Sequence, residues 1–222
     1  MTARILVINP NSTQAVTDGI DAALKPLRLA GGPVIDCATL AEGPPGIQSQ
    51  RDVETVTLPL CRLVEREDNR ADAYVIACFS DPGLHAVREA TRRPVFGISA
   101  AGVTTALNLG NMVGIIAILP ASVARHARYF RAMGVAERIA GERPVNLGVV
   151  ELADETRTRG RMLAVGKALR DEDGADVLVM GCAGMAKYRA PLEEELGVPV
   201  VDPTQAAVGL AITAVGLGYI TR

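Results

Sequence analysis

Residues 71–78, Ala71-Asp72-Ala73-Tyr74-Val75-Ile76-Ala77-Cys78, return 104 positions later as Ala175-Asp176-Val177-Leu178-Val179-Met180-Gly181-Cys182. Each copy is a short apolar run that follows an Ala-Asp pair and ends on a cysteine. Runs of this length and composition read as buried strands. Working outward, Pro94-Val95 matches Pro199-Val200 one residue out of that register. Upstream, Ile5-Leu6-Val7-Ile8-Asn9-Pro10-Asn11-Ser12 matches Ile115-Ile116-Ala117-Ile118-Leu119-Pro120-Ala121-Ser122 at an offset of 110. Three matches in one order predict an internal duplication, with a period far longer than a solenoid unit.

The rest of the chain agrees with two α/β units. Strands are predicted near residues 4–9, 34–38, 73–79, 95–98, 112–119, 145–151, 177–182 and 198–202. Amphipathic stretches near 13–27, 52–66, 82–90, 101–108, 122–133, 155–171, 186–196 and 204–217 predict helices between them. Such alternation is the signature of parallel sheets built from βαβ units. The expected fold is therefore α/β: two pseudo-symmetric parallel-sheet domains with the active site in the cleft between them. The first half would span residues 1–98 and the second 99–203, with a C-terminal helix in 204–222 returning to the first.

Composition narrows the function. A net charge of −2 gives no basic excess to neutralise phosphates, and aromatics at 3% with no Trp offer no base-stacking platform, so no nucleic-acid partner is expected. The longest apolar stretch, residues 206–220, is too short for a bilayer span and contains three glycines. Met1 leads directly into a strand-like run with no signal-peptide pattern. Cys37, Cys61, Cys78 and Cys182 follow no disulfide or zinc spacing, so free thiols in a reducing cytoplasm are expected. No GxGxxG, P-loop or HExxH pattern is present, and no cofactor or metal is expected.

Cys37 and Cys61 read as small buried hydrophobes. Cys78 and Cys182 differ, because each ends a strand and precedes a helix-opening turn, Phe79-Ser80-Asp81-Pro82-Gly83 and Ala183-Gly184-Met185. Ligands of open parallel sheets bind beyond the carboxyl ends of the strands. With the halves face to face, the two thiols meet across one cleft. Turn amides there are expected to draw a thiol pKa down from ~8.5. Inverting a stereocentre needs a base on one face of a carbon and an acid on the other, and a thiolate/thiol pair can serve as both. The carbanion must spread its charge onto a carbonyl held by nearby donors.

Asn9, Asn11 and Ser12, in the turn after the first strand, are candidate donors to substrate, as are Ser80 and the flanking Phe79, Ala183 and Gly184. Asp81 reads as the N-cap of the helix that Pro82 would open. His85 and His126 are expected on exposed helix faces.

ILVINPNST at residues 5–13, ACFSDPGL around Cys78, GCAGM around Cys182 and LGVPVVDP at 196–203 together resemble the aspartate/glutamate/hydantoin racemase superfamily, most closely its hydantoin and allantoin racemase branch. The resemblance covers nearly the whole chain. It implies cofactor-independent racemisation of 5-substituted hydantoins or related amino-acid derivatives, with Cys78 and Cys182 as the acid/base pair, a small-molecule substrate and a homo-oligomer. Two departures stand out. Ser80 replaces the Gly of CFGDP, and Ala117 and Ile118 fall where the branch tends to carry a Thr-Thr pair, so two hydroxyls are missing from the expected substrate wall. Rival readings are a racemase of free aspartate or glutamate, a related decarboxylase or cis–trans isomerase, and a two-lobed binding module. The decarboxylases of the superfamily need one cysteine only, and a binding module gives no reason for two.

Overall fold

A computed structural model describes residues 2–220. Two four-stranded, all-parallel sheets form its frame. The first contains β1 (Arg4–Asn9), β2 (Val34–Thr39), β3 (Ala73–Ile76) and β4 (Val95–Gly97), in the order β2-β1-β3-β4. The second repeats that order, β6-β5-β7-β8, with β5 (Val113–Ala117), β6 (Ile139–Pro144), β7 (Val177–Met180) and β8 (Val200–Val201). Strands β1, β3, β5 and β7 are apolar along nearly their whole length because helices cover both faces.

The pairing fixes how the halves correspond. Ile8 pairs with Ile76, and Ile116 with Met180. The β3/β7 offset is therefore 104 residues, but β5 follows β1 by 108 rather than 110. Side chains alternate faces with a period of two, so a two-residue slip preserves the apolar match and hides the error. In the true register Asn9 corresponds to Ala117 and Pro10 to Ile118.

Side chains of alternating parity pack on opposite faces of the first sheet. Leu6, Ile8, Tyr74 and Ile76 meet Val53 of α2 (Gln50–Thr55), Leu60 and Val64 of α3 (Thr57–Glu67), and Leu84 and Val87 of α4 (Leu84–Ala90). Ile5, Val7, Ala73 and Val75 meet Ile20 of α1 (Gln14–Ala23) and Ile98 of α5 (Ile98–Ala106). Ala207, Val208 and Ala211 of α9 (Pro203–Gly216) join that same cluster. In the second half, Phe130 of α6 (Pro120–Ala132) covers one face with Val103 and Ala106 of α5. Met162 and Leu169 of α7 (Glu155–Asp171) and Leu192 and Leu196 of α8 (Arg189–Leu196) cover the other. Helix α5 thus belongs to both cores. Among the described residues no helix is long and apolar enough to cross a membrane.

Several local expectations are corrected. Residues 145–151 are not a strand: β6 ends at Pro144, and Asn146 then turns into the left-handed region at φ 57°. Val145, Leu147 and Val149 alternate inward as a strand would, but in an irregular segment whose Val145 and Leu147 amides reach the Ala117 and Ile118 carbonyls. The helix expected over 52–66 is two abutting helices meeting at Val56, the first opened by a Ser49–Asp52 capping box. The segment after Cys182 winds as a 3-10 turn, Ala183–Tyr188, before α8 begins.

Candidate active site

Cys78 lies two residues beyond the end of β3, and Cys182 two residues beyond the end of β7. Both line a single cleft, whose empty volume with its open mouth is about 430 Å³. The approach is tight. Ala77 donates its amide to the Ile8 carbonyl at 2.8 Å, and Gly181 does the same to Ile116 at 2.8 Å. A Cβ on Gly181 would lie 2.7 Å from that carbonyl oxygen, so glycine is required beside Cys182.

Each sulfur meets the amide two residues ahead of it, Ser80 for Cys78 and Gly184 for Cys182. The expected drop in thiol pKa is not seen. Burial outweighs those amides and pushes Cys78 up to about 12, with Cys182 opposite and Asp81 adding to the rise and Arg125 opposing it. Burial likewise pushes Cys182 up to about 11, and Asp202 adds to it. Removing a thiolate from water costs more than one amide returns. Cys61 and Cys37 sit away from the cleft, and burial also pushes Cys37 up to about 12.

The other candidates divide. Asn11, Phe79, Ser80, Ile118, Ala183 and Gly184 line the cleft with the two cysteines. Asn11 Oδ1 accepts from Asn9 Nδ2 at 3.0 Å and from the Thr13 amide at 2.9 Å. Its own Nδ2 has no hydrogen-bond partner among the described residues. Asn9 does not line the cleft: its Nδ2 is occupied by Asn11, Thr17 Oγ1 and the Thr13 carbonyl. Ser12 also lies outside the lining, its amide donated to the Pro44 carbonyl at 2.9 Å. Ala117 is fully buried behind the wall, and Ile118 alone of that pair reaches it.

Two expectations fail in an informative way. Asp81 does not cap the helix that follows it. The residue sits at φ 42°, and its carboxylate accepts from the Ser99 amide at 2.8 Å and the Ala100 amide at 2.9 Å, capping α5 instead. Gly97 makes this possible, since a Cβ there would lie 2.2 Å from the carboxyl carbon. Burial pushes Asp81 up to about 6 against these donors. His126 is not on an exposed face but is buried, at 2% exposure, in contact with Phe79 edge-to-face at 5.2 Å. Its Nδ1 lies 2.5 Å from Glu142 Oε1, and its Nε2 lies 3.4 Å from Ser80 Oγ. His85 is exposed as expected.

Arg125 and Ser122, which the sequence reading passed over, also line the cleft. A signal existed. Ser122, Arg125, His126 and Tyr129 fall at i, i+3, i+4 and i+7 of α6, a polar stripe at helical spacing that faces inward rather than to solvent. Arg125 Nε donates to Ser80 Oγ at 3.0 Å. Among the described residues no cluster of three or more His, Cys, Asp or Glu could hold a metal ion. The arrangement offers two thiols from equivalent positions facing one small space, with amide and side-chain donors around it.

Comparison with known proteins places the family and the fold. Residues 5–211 match the family model described as Asp/Glu/Hydantoin racemase. A hydantoin racemase of Paenarthrobacter aurescens is 40% identical over 222 residues, covering 98% of this chain and 93% of that one. The solved allantoin racemase from Klebsiella pneumoniae superposes with a TM-score of 0.91 at 32% identity, over 100% of this chain and 91% of its own. That of Pseudomonas fluorescens gives 0.92 at 27% identity, over 99% and 93%.

Proposed function

The chain belongs to the Asp/Glu/hydantoin racemase family and is an isomerase, and from that premise we propose that it racemises 5-substituted hydantoins or closely related amino-acid derivatives through Cys78 and Cys182. The observation that supports this most is the pair itself: two thiols at equivalent strand ends of a duplicated fold, lining one cleft.

In the proposed reaction one cysteine enters as thiolate and the other as thiol. The thiolate takes the proton from the stereogenic carbon, and the electron pair left behind spreads onto the adjacent carbonyl. The facing thiol then delivers its proton to the opposite face. The carbon is inverted, and the enzyme is left with the two protonation states exchanged. Asn11 Nδ2 is the donor proposed for the carbonyl oxygen as its charge grows. Substrate entering a tight cleft displaces water and holds the carbon within reach of both sulfurs.

Solvent deuterium exchange at the stereocentre, screened across 5-alkyl and 5-benzyl hydantoins, allantoin and free amino acids, tests the reading. Exchange with loss of optical activity is expected for hydantoins. Exchange confined to free amino acids, or absent from every compound, would overturn it.

A further inference from the structure

We infer that Arg125 forms an anion subsite inside the cleft, and that the preferred substrate carries a carboxylate there. This rests on the racemase reading above and names the substrate class of that site.

Arg125 is 8% exposed and lines the cleft beside Cys78. Its one hydrogen bond among the described residues runs from Nε to a neutral partner, Ser80 Oγ, at 3.0 Å. Among the described residues no carboxylate forms an ion pair with it, although twelve other arginine–carboxylate pairs occur there. A buried guanidinium without a counter-charge is costly, and such groups are ordinarily paired. Glu142 and Asp52 act on it only through space, and Glu142 is itself engaged by His126 at 2.5 Å.

That engagement gives the guanidinium its orientation. Whichever way the hydrogen between His126 Nε2 and Ser80 Oγ points, Ser80 Oγ accepts from Arg125 Nε, and His126 Nδ1 is held on Glu142. The chain from Glu142 to Ser80 holds Nε and leaves both terminal nitrogens of Arg125 without an acceptor. Two parallel N–H groups on a planar fork are the geometry that binds a carboxylate bidentately. Ser80 is the residue that departs from CFGDP, so the hydroxyl that anchors Arg125 is a feature of this chain rather than of the motif.

A carboxylate could come from the side chain of a carboxyalkyl hydantoin or from the α-carboxylate of an open-chain amino acid. The test compares kcat/KM for deuterium exchange of 5-carboxymethylhydantoin, its neutral isostere 5-carbamoylmethylhydantoin, and free aspartate. Wild type should favour the carboxylate hydantoin over its amide by roughly tenfold or more, and Arg125→Gln should lower that ratio by roughly 10–100-fold. Arg125→Lys, which keeps the charge but loses the fork, should retain part of the preference, and serves if Arg125→Gln does not fold. Turnover of aspartate ahead of both hydantoins would place the carboxylate on an open-chain substrate and still support the subsite. Equal losses for the acid and the amide would overturn it, leaving Arg125 to act on Cys78 alone. Calorimetric binding of 5-carboxymethylhydantoin to the Cys78→Ser/Cys182→Ser variant, with and without Arg125→Gln, tests the subsite apart from any chemistry. Unchanged affinity on loss of Arg125 would contradict the subsite even if racemisation stands.

Discussion

Tyr129 on α6 donates a hydrogen bond to Asp81 Oδ2 at 2.8 Å, and so ties the turn that carries Cys78 to a helix of the second half. Asp81 also caps α5 through Ser99 and Ala100, and its own amide meets the Cys78 carbonyl at 2.9 Å. One buried carboxylate therefore sets the position of one thiol against the other half. Tyr129→Phe removes one of three donors to a charged acceptor and should cost about 1–2 kcal/mol of stability at pH 8. Without that donor Asp81 moves further above about 6. A carboxylate whose folded-state pKa exceeds its unfolded value makes stability fall as pH rises through that window. The deficit of the variant should therefore be full at pH 8 and smaller at pH 4, where only a bond to a neutral carboxyl is lost. Urea denaturation at the two pH values checks this, and a deficit that is equal at both would contradict it.

A second prediction concerns the pH profile. In the free cleft, burial holds Cys182 at about 11 and Cys78 at about 12. The base form is the thiolate, so kcat/KM, which reports the free enzyme, should climb about tenfold per pH unit across neutral pH rather than level off. The Arg125 charge opposes the rise at Cys78, so Arg125→Gln should move that limb to higher pH. Thiolate absorbance near 240 nm, titrated in both proteins, gives the same quantity without substrate. A plateau below pH 8 would contradict thiols raised so far by burial.

Asp202 supplies a third. It caps α9 through Oδ1, which accepts from the Gln205 amide at 2.7 Å, while its buried Oδ2 has no partner among the described residues. Burial raises this carboxyl to about 6. Above that pH the wild type carries the cost of a poorly paired charge, a cost that vanishes below about pH 4 where folded and unfolded forms are both neutral. Asp202→Asn keeps the cap and should stabilise the protein by about 1–3 kcal/mol at pH 8, with no gain at pH 4. The Cys182 thiol should also titrate lower, because Asp202 pushes it up. Loss of stability at pH 8 would show that Arg189, which opposes the rise at Asp202, outweighs its burial.

What could be read in the sequence follows from what repeats locally. Residues 73–78 and 177–182 are consecutive apolar runs ending on a thiol, and consecutive runs announce strands and their ends. The register of β1 against β5 was not legible, because a slip of two leaves every side chain on its proper face. Residues 145–149 alternate as a strand does, and only the backbone turn at Asn146 shows that they are not one. Asp81 was misread for a similar reason: a cap is local in the usual case, but its partners Ser99 and Ala100 lie eighteen and nineteen residues away. Arg125 and His126 were hidden by their polarity, which suggests solvent until the facing Ser80 and Glu142 are in place.

The division of labour between the two thiols is tested most directly by deuterium incorporation into each pure enantiomer of a turned-over hydantoin, followed by chiral separation. A serine hydroxyl is too weak an acid to supply a useful base, so each single variant retains a base on one face only. Cys78→Ser should exchange the proton of one enantiomer through Cys182 without racemising it, and Cys182→Ser should do so for the other hand. The double variant should do neither, while Cys37→Ser and Cys61→Ser should stay active. Near-wild-type racemisation by either single variant at the cleft, or the same preferred hand in both, would contradict the paired-thiol mechanism.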